Sequence, residues 1–199
     1  MAGPIAHPWP PANKVPAPNP RPPPPEPAYP LPLQARVCTL GAALGRACAG
    51  DVDRCLVVGE HGEPVRPGPI TALFAVREIA RAVAQGTAPA DIAVVYNVIS
   101  SMAVPEIIRE RGGTPVRTKV GHSFIKAVMA DTGAAFGGEH SAHYYFRDNW
   151  RADSGLIAAM HVLEMRCRAG VPLSEMRKPF DRYAMSGEIN TTVPAPLAV

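Results

Sequence analysis

Apolar and polar positions fall into alternating blocks over much of this chain. Within 70–84, Leu73, Val76, Ala80 and Val83 recur on one helical face. That spacing predicts an amphipathic helix opened by Pro69 and ended by Gly86. Residues 92–96, Ile-Ala-Val-Val-Tyr, are continuously apolar and predict a buried strand, with a loop over 97–101 at its carboxyl end. The block pattern then repeats. It predicts a helix over 104–111 stopped by Gly112 and Gly113, a short strand over 114–118, a polar loop over 119–123, and a helix over 123–131 stopped near Gly133. The apolar run Ala134-Ala135-Phe136 and the aromatic run Tyr144-Tyr145-Phe146 predict two strands around a polar stretch. A helix over 154–167 follows, with Asp153 as its N-cap and Gly170 as its stop, and 173–177 predicts a last short helix. Upstream, 37–44 predicts a short helix, and 45–48 and 55–58 predict strands on either side of an acidic turn.

Strand-helix alternation from 92 to 167 argues for an α/β fold, a three-layer α/β/α domain. The polar loops 97–101, 119–123 and 139–143 each follow a strand, so they are expected to converge on one edge of the sheet.

Composition changes the picture at the start of the chain. Fourteen of the 24 prolines lie between Pro4 and Pro32, so residues 1–34 are expected to be extended, polyproline-like and disordered. Such an arm is a dispensable tail or a ligand for an SH3-like domain. A net charge of +3, with Lys and Arg dispersed, does not indicate nucleic-acid binding. Cys38, Cys48, Cys55 and Cys167 form no CxxC pair and read as small core residues in a reducing compartment. No apolar run reaches the length of a membrane span and the start lacks a signal-peptide core, which leads to the expectation of a cytoplasmic protein with no membrane partner.

Candidate chemistry gathers in two stretches. Residues 137–143, Gly-Gly-Glu-His-Ser-Ala-His, place a carboxylate, a hydroxyl and two imidazoles behind paired glycines. In an extended segment Glu139 and Ser141 point the same way, which suits the hydroxyls of a sugar. A buried polar turn satisfied by its own hydrogen bonds fits the same spacing. His140 and His143 alone fall short of a zinc set, because no third ligand lies close in sequence. In the second stretch, Asp51 and Asp53 followed by Arg54 suit a hard cation such as Mg2+ beside an anion, or an Asp-rich turn. No nucleophile elbow, GxxxxGK[ST] or GxGxxG is present.

Three segments together resemble the α-D-phosphohexomutase family, particularly its bacterial phosphomannomutase/phosphoglucomutase branch. Residues 137–143 are similar to that family's sugar-binding loop. Residues 119–126, Lys-Val-Gly-His-Ser-Phe-Ile-Lys, are similar to a second substrate loop, and 49–54, Ala-Gly-Asp-Val-Asp-Arg, to its DGDxDR metal loop. The resemblance covers about 41–192. It implies intramolecular phosphoryl transfer between the 1- and 6-positions of a hexose phosphate, through an active-site phosphoserine and Mg2+. It also implies roles by position: Asp51 and Asp53 as metal ligands, Arg54 as an anion contact, and His122 as a substrate or proton-transfer residue with Lys119 beside it. Glu139 and Ser141 would hold sugar hydroxyls, and His143 would support their loop. Lys126 reads as a solvated face, and Tyr144 and Tyr145 as strand packing.

The chain departs from the family pattern in three places. No serine precedes Ser100, Ala49 stands where the metal loop has its first aspartate, and the chain stops at Val199, just past Gly187-Glu188-Ile189-Asn190. The expected layout is a Pro-rich segment (1–34), the end of a second phosphohexomutase domain with the metal loop (35–66), a third, sugar-binding domain (67–182), and the start of a linker (183–199). The chain then reads as a truncated fragment, inactive alone. The alternatives are a non-catalytic sugar-phosphate-binding remnant and a Pro-rich interaction protein. The sequence sets neither mannose against glucose phosphate nor an oligomeric state.

Overall fold

The first described residues already form a helix. The structure, a computed structural model, describes residues 31–48 and 51–185. Helix α1 (Leu31–Leu40) begins earlier than the expected 37–44 and takes up the last four residues of the segment expected to be disordered. Pro32 permits this because a first-turn residue has no intrahelical partner for its N–H. The rest of the Pro-rich segment, Ala49 with Gly50, and 186–199 lie outside the described residues.

Strands β1 (Gly45–Cys48), β2 (Cys55–Val58) and β3 (Pro64–Val65) form a small antiparallel sheet in that order. Helix α2 (Pro67–Ala84) leads from it into the main domain. There β4 (Ala93–Asn97), α3 (Ala103–Glu110), β5 (Thr114–Thr118), α4 (His122–Thr132) and β6 (Phe136–Gly138) follow in turn, then β7 (Tyr144–Phe146), β8 (Ala152–Asp153), α5 (Gly155–Ala169) and α6 (Leu173–Arg177). The five-stranded sheet runs β5-β4-β6-β7-β8. Strand β4 is parallel to β5 and β6, whereas β7 and β8 join antiparallel.

The period of two along β4 sorts the core. Val94 and Tyr96 join Phe136, Tyr144 and Phe146 against α2, α3 and α5. Ala93 and Val95 face the other way, with Tyr145, against Ile125 and Met129 of α4. The three-layer α/β/α expectation holds, with helices on both faces. Phe74 of α2 sits at the centre of the first face, edge-on to Phe136, Tyr144 and Phe146.

One local expectation is corrected. The N-cap of α5 is Ser154, whose Oγ accepts from Ile157 N at 3.2 Å, not Asp153. Asp153 is instead the last residue of β8, paired with Tyr145, so its backbone belongs to the sheet. No described helix is long and apolar enough to cross a membrane.

Candidate functional site

Because β4, β5 and β6 are parallel, their carboxyl ends share one edge of the sheet, and the loops after them meet there. They meet on one carboxylate. Glu139 Oε1 accepts from Asn97 Nδ2 at 3.3 Å, at the end of β4, and from Gly121 N at 3.1 Å, after β5. Its Oε2 accepts from Tyr145 Oη at 2.7 Å and lies 3.4 Å from His143 Nδ1. Glu139 is 2% exposed. Burial alone would push its carboxyl up. The bonds from His143, Tyr145 and the Gly121 amide outweigh burial and hold the carboxyl at about 2. Burial and the Glu139 charge push the Tyr145 phenol up, so it stays a donor.

The loop that carries Glu139 closes on itself. Glu139 N donates to His143 O at 3.0 Å, and Ala142 N to Glu139 O at 3.2 Å. Ala142 takes a left-handed φ of 66° with its side chain fully buried. Gly138 is required where it stands, since a Cβ there would lie 2.5 Å from Thr71 Cγ2.

His143 links this loop to the small sheet. Its Nδ1 lies 2.8 Å from Ser141 Oγ, and its Nε2 lies 3.0 Å from Asp53 Oδ2 and 3.2 Å from Arg54 Nε. One nitrogen serves one of these partners at a time: unprotonated Nε2 accepts from Arg54, and Nε2–H donates to Asp53. Burial lowers the imidazole pKa, but the Glu139 and Asp53 acceptors raise it above the ordinary value, which selects the second arrangement. A backbone bridge from Arg54 to His143, and Cys55 N donating to Ala142 O at 3.1 Å, dock the two segments.

The acidic turn itself rests on the start of α5, where Gly155 N donates to Val52 O at 2.8 Å. A Cβ on Gly155 would collide with the Arg54 carbonyl. Asp51 is exposed. Among the described residues, the carboxylates and imidazole close enough to share an ion are Asp53, His143 and Asp153, with ligand atoms within 4.8 Å of one another. Asp53 Oδ1 is buried there without a hydrogen bond, with Arg54 Nε 3.8 Å away, and its free lone pairs fit a hard cation. Lys126 Nζ holds Asp153 at 2.8 Å, so Lys126 is an ion-pair residue rather than a solvated one.

Lys119 and His122 stand apart from this network. Both are exposed, at the amino end of α4, with Lys119 Nζ 5.8 Å from the Phe124 ring centroid. A groove of about 500 Å3 lined by Val98, Arg117, Thr118, Lys119 and Phe124 opens beside them. Asn97, Lys126, Tyr145 and Asp153, expected as loop, solvated face, strand packing and N-cap, join the network instead. A polar residue ending an apolar strand marked Asn97, and a tyrosine within an otherwise apolar strand carried a hydroxyl in need of a partner.

Residues 70–183 match the family description "Phosphoglucomutase/phosphomannomutase, alpha/beta/alpha domain III". The phosphomannomutase of Methanocaldococcus jannaschii is 37% identical over 150 residues, which is 75% of this chain and 32% of that protein. The phosphomannomutase of Escherichia coli K12 is 36% identical over 158 residues, 79% of this chain and 33% of that protein. The crystal structure of a phosphoglucomutase/phosphomannomutase family protein from Burkholderia thailandensis superposes with a TM-score of 0.68 at 31% identity, covering 75% of this chain and 31% of that one. The chain thus spans about a third of the length of the curated relatives it matches.

Proposed function

The chain belongs to the phosphoglucomutase/phosphomannomutase family, carrying its α/β/α domain III, and from that premise we propose that it supplies the sugar-holding part of a phosphohexomutase. The reaction we assign to the assembled site is intramolecular phosphoryl transfer between the 1- and 6-positions of a hexose phosphate. The observation that carries the reading is the meeting of three strand-end loops on Glu139. Residues 67–182 form the sugar-binding domain, and 35–66 bring the metal loop to it.

In this reading, Ser141 presents the sugar-facing edge, with His143 holding it in place; Glu139, expected to hold sugar hydroxyls, is buried with both oxygens engaged and instead positions the three loops. Lys119 and His122, exposed at the start of an 11-residue helix, meet the anionic end of the substrate. Arg54 is the second anion contact. Asp53, with one oxygen free of hydrogen bonds, and Asp51 would hold Mg2+, which when bound neutralises charge on a transferring phosphoryl group. The 199-residue chain alone is expected not to turn over substrate. Transfer in this family waits on a phosphoserine, and no serine precedes Ser100. Ala49 in the metal loop also favours a second reading, a sugar-phosphate-binding module without catalysis.

NMR titration with mannose or glucose phosphate tests the binding claim. Shifts confined to 119–123 and 139–143, lost in Ser141→Ala, support it; absence of any shift at those loops sinks it. A coupled assay with glucose 1-phosphate, Mg2+ and a trace of glucose 1,6-bisphosphate separates the readings. Turnover abolished by His122→Ala would show that the chain is catalytic by itself.

A further inference from the structure

The two strands that flank the acidic turn carry a cysteine each, and the register sets them opposite one another. Cys48 ends β1, Cys55 begins β2, and the two are paired across the ladder. The Cys55 N–H turns away from Cys48 to the Ala142 carbonyl, the arrangement of a non-hydrogen-bonded pair. Such pairs bring Cα atoms to about 4.5 Å with side chains on one face, inside the roughly 4.4–6.8 Å span of disulfides. Neither sulfur is bonded to another: all four cysteines are free. Cys38 and Cys167, the other two, are exposed.

We propose that Cys48 and Cys55 are a thiol–disulfide modification site whose cross-link ties the base of the turn bearing Asp51, Asp53 and Arg54. The inference is independent of the proposed function. The two sulfurs have unequal roles. Cys48 is half-buried, and Arg46 Nη1 donates to its Sγ at 3.0 Å, the partly exposed, cationic surroundings of a reacting cysteine. Cys55 is 1% exposed and packed in the main core. With oxidised glutathione as the oxidant, Cys48 thiolate attacks one glutathione sulfur and expels one glutathione thiolate. Cys55, after losing its proton to solvent, attacks Cys48 Sγ and expels the second. Two protein thiols become one disulfide, and one glutathione disulfide is reduced to two thiols. Burial of Cys55 makes the second step the slower one, so the Cys48–glutathione adduct builds up first.

The test incubates the full chain with graded ratios of oxidised to reduced glutathione, then quenches in acid, reduces nothing, and alkylates. Trypsin cuts after Arg46, Arg54 and Arg77 but not at the Arg66–Pro67 bond, so peptides 47–54 and 55–77 are released as one linked species, lighter than their sum by two hydrogens. Cys48→Ser abolishes that species with an unchanged far-UV spectrum, while Cys38→Ser with Cys167→Ser retains it. Persistence of a Cys48–glutathione adduct with Cys55 still free would overturn the proposal. Linked peptides joining Cys48 to Cys38 or Cys167, in place of Cys55, would overturn it equally.

Discussion

Two acidic segments face one another across His143, and the protein holds them differently. Glu139 is 2% exposed, and each of its oxygens meets two donors contributed by β4, the loop after β5, β7 and its own loop. The 51–54 turn has one exposed aspartate, one buried oxygen with no hydrogen bond, and a Val52 held at a φ of 61°. Charge at the first segment is neutralised by the fold itself. Charge at the second is met in part, by His143 at Asp53 Oδ2 and by Arg54 Nε 3.8 Å from Oδ1. A site that grips a neutral sugar needs fixed donors and acceptors, and a site that takes a cation needs oxygens with spare capacity.

The comparison breaks hardest at Glu139. Glu139→Ala leaves the Gly121 amide, the Tyr145 hydroxyl and His143 without their acceptor, and we expect a loss of about 4 kcal/mol in a denaturant melt. Glu139→Gln separates charge from shape through pH. The folded carboxyl sits at about 2 against an ordinary 4.5. Its contribution, about 3 kcal/mol, is therefore complete above pH 4.5 and is lost as pH falls through about 2. Glu139→Gln should flatten the stability curve over that window; an unchanged slope would show that the charge is not held this way.

Gly155→Ala attacks the other segment. The added Cβ meets the Arg54 and Val52 carbonyls, both backbone, so the turn itself must move. We expect a cost of about 3 kcal/mol with NMR shifts at Asp53, Arg54 and His143, and none at Asn97. Tyr145→Phe keeps the ring among Val95, Ile125 and Met129 and removes one bond to a charged acceptor. About 2 kcal/mol is expected, by thermal melt, with the 119–123 loop little changed.

The parts of this contrast that were legible in the sequence are the parts with local signals. The run over 92–96 marked β4, because burial on both faces writes a continuous apolar run; the half-exposed β5 was legible from its place between the glycine stop and the polar loop. Motif likeness marked Glu139, Ser141 and His143. Long-range pairings were not legible. Strand β8 is two residues long, and its partner Tyr145 is set by register. Nothing near Asp153 announces Lys126 or Asp53. Tyr145 was half legible: its ring is packing, as its strand implied, but its hydroxyl serves Glu139. Helix α1 was obscured by the prolines before it, which say nothing about a helix that starts where they thin out.

The smallest effect on stability, and the sharpest test of the contrast, belongs to Asp51. It is exposed, so Asp51→Ala should leave the melting temperature unchanged. Its effect lies in the cation. Affinity for a hard cation follows the number of charged oxygens a site supplies. Ala49 offers no oxygen from its side chain, and Asp153 is already engaged by Lys126. Asp53 Oδ1 is then the buried acceptor in this cluster that makes no hydrogen bond, with Arg54 Nε 3.8 Å away. Calorimetry on the 199-residue chain should therefore show weak Mg2+ binding, reduced further by Asp51→Ala. Ala49→Asp restores a third carboxylate to the turn and should strengthen binding without changing the melt in the absence of Mg2+. Micromolar affinity in the unaltered chain, lost on Asp51→Ala, would mean that the turn is as complete as the Glu139 loop, and the contrast between them would fall.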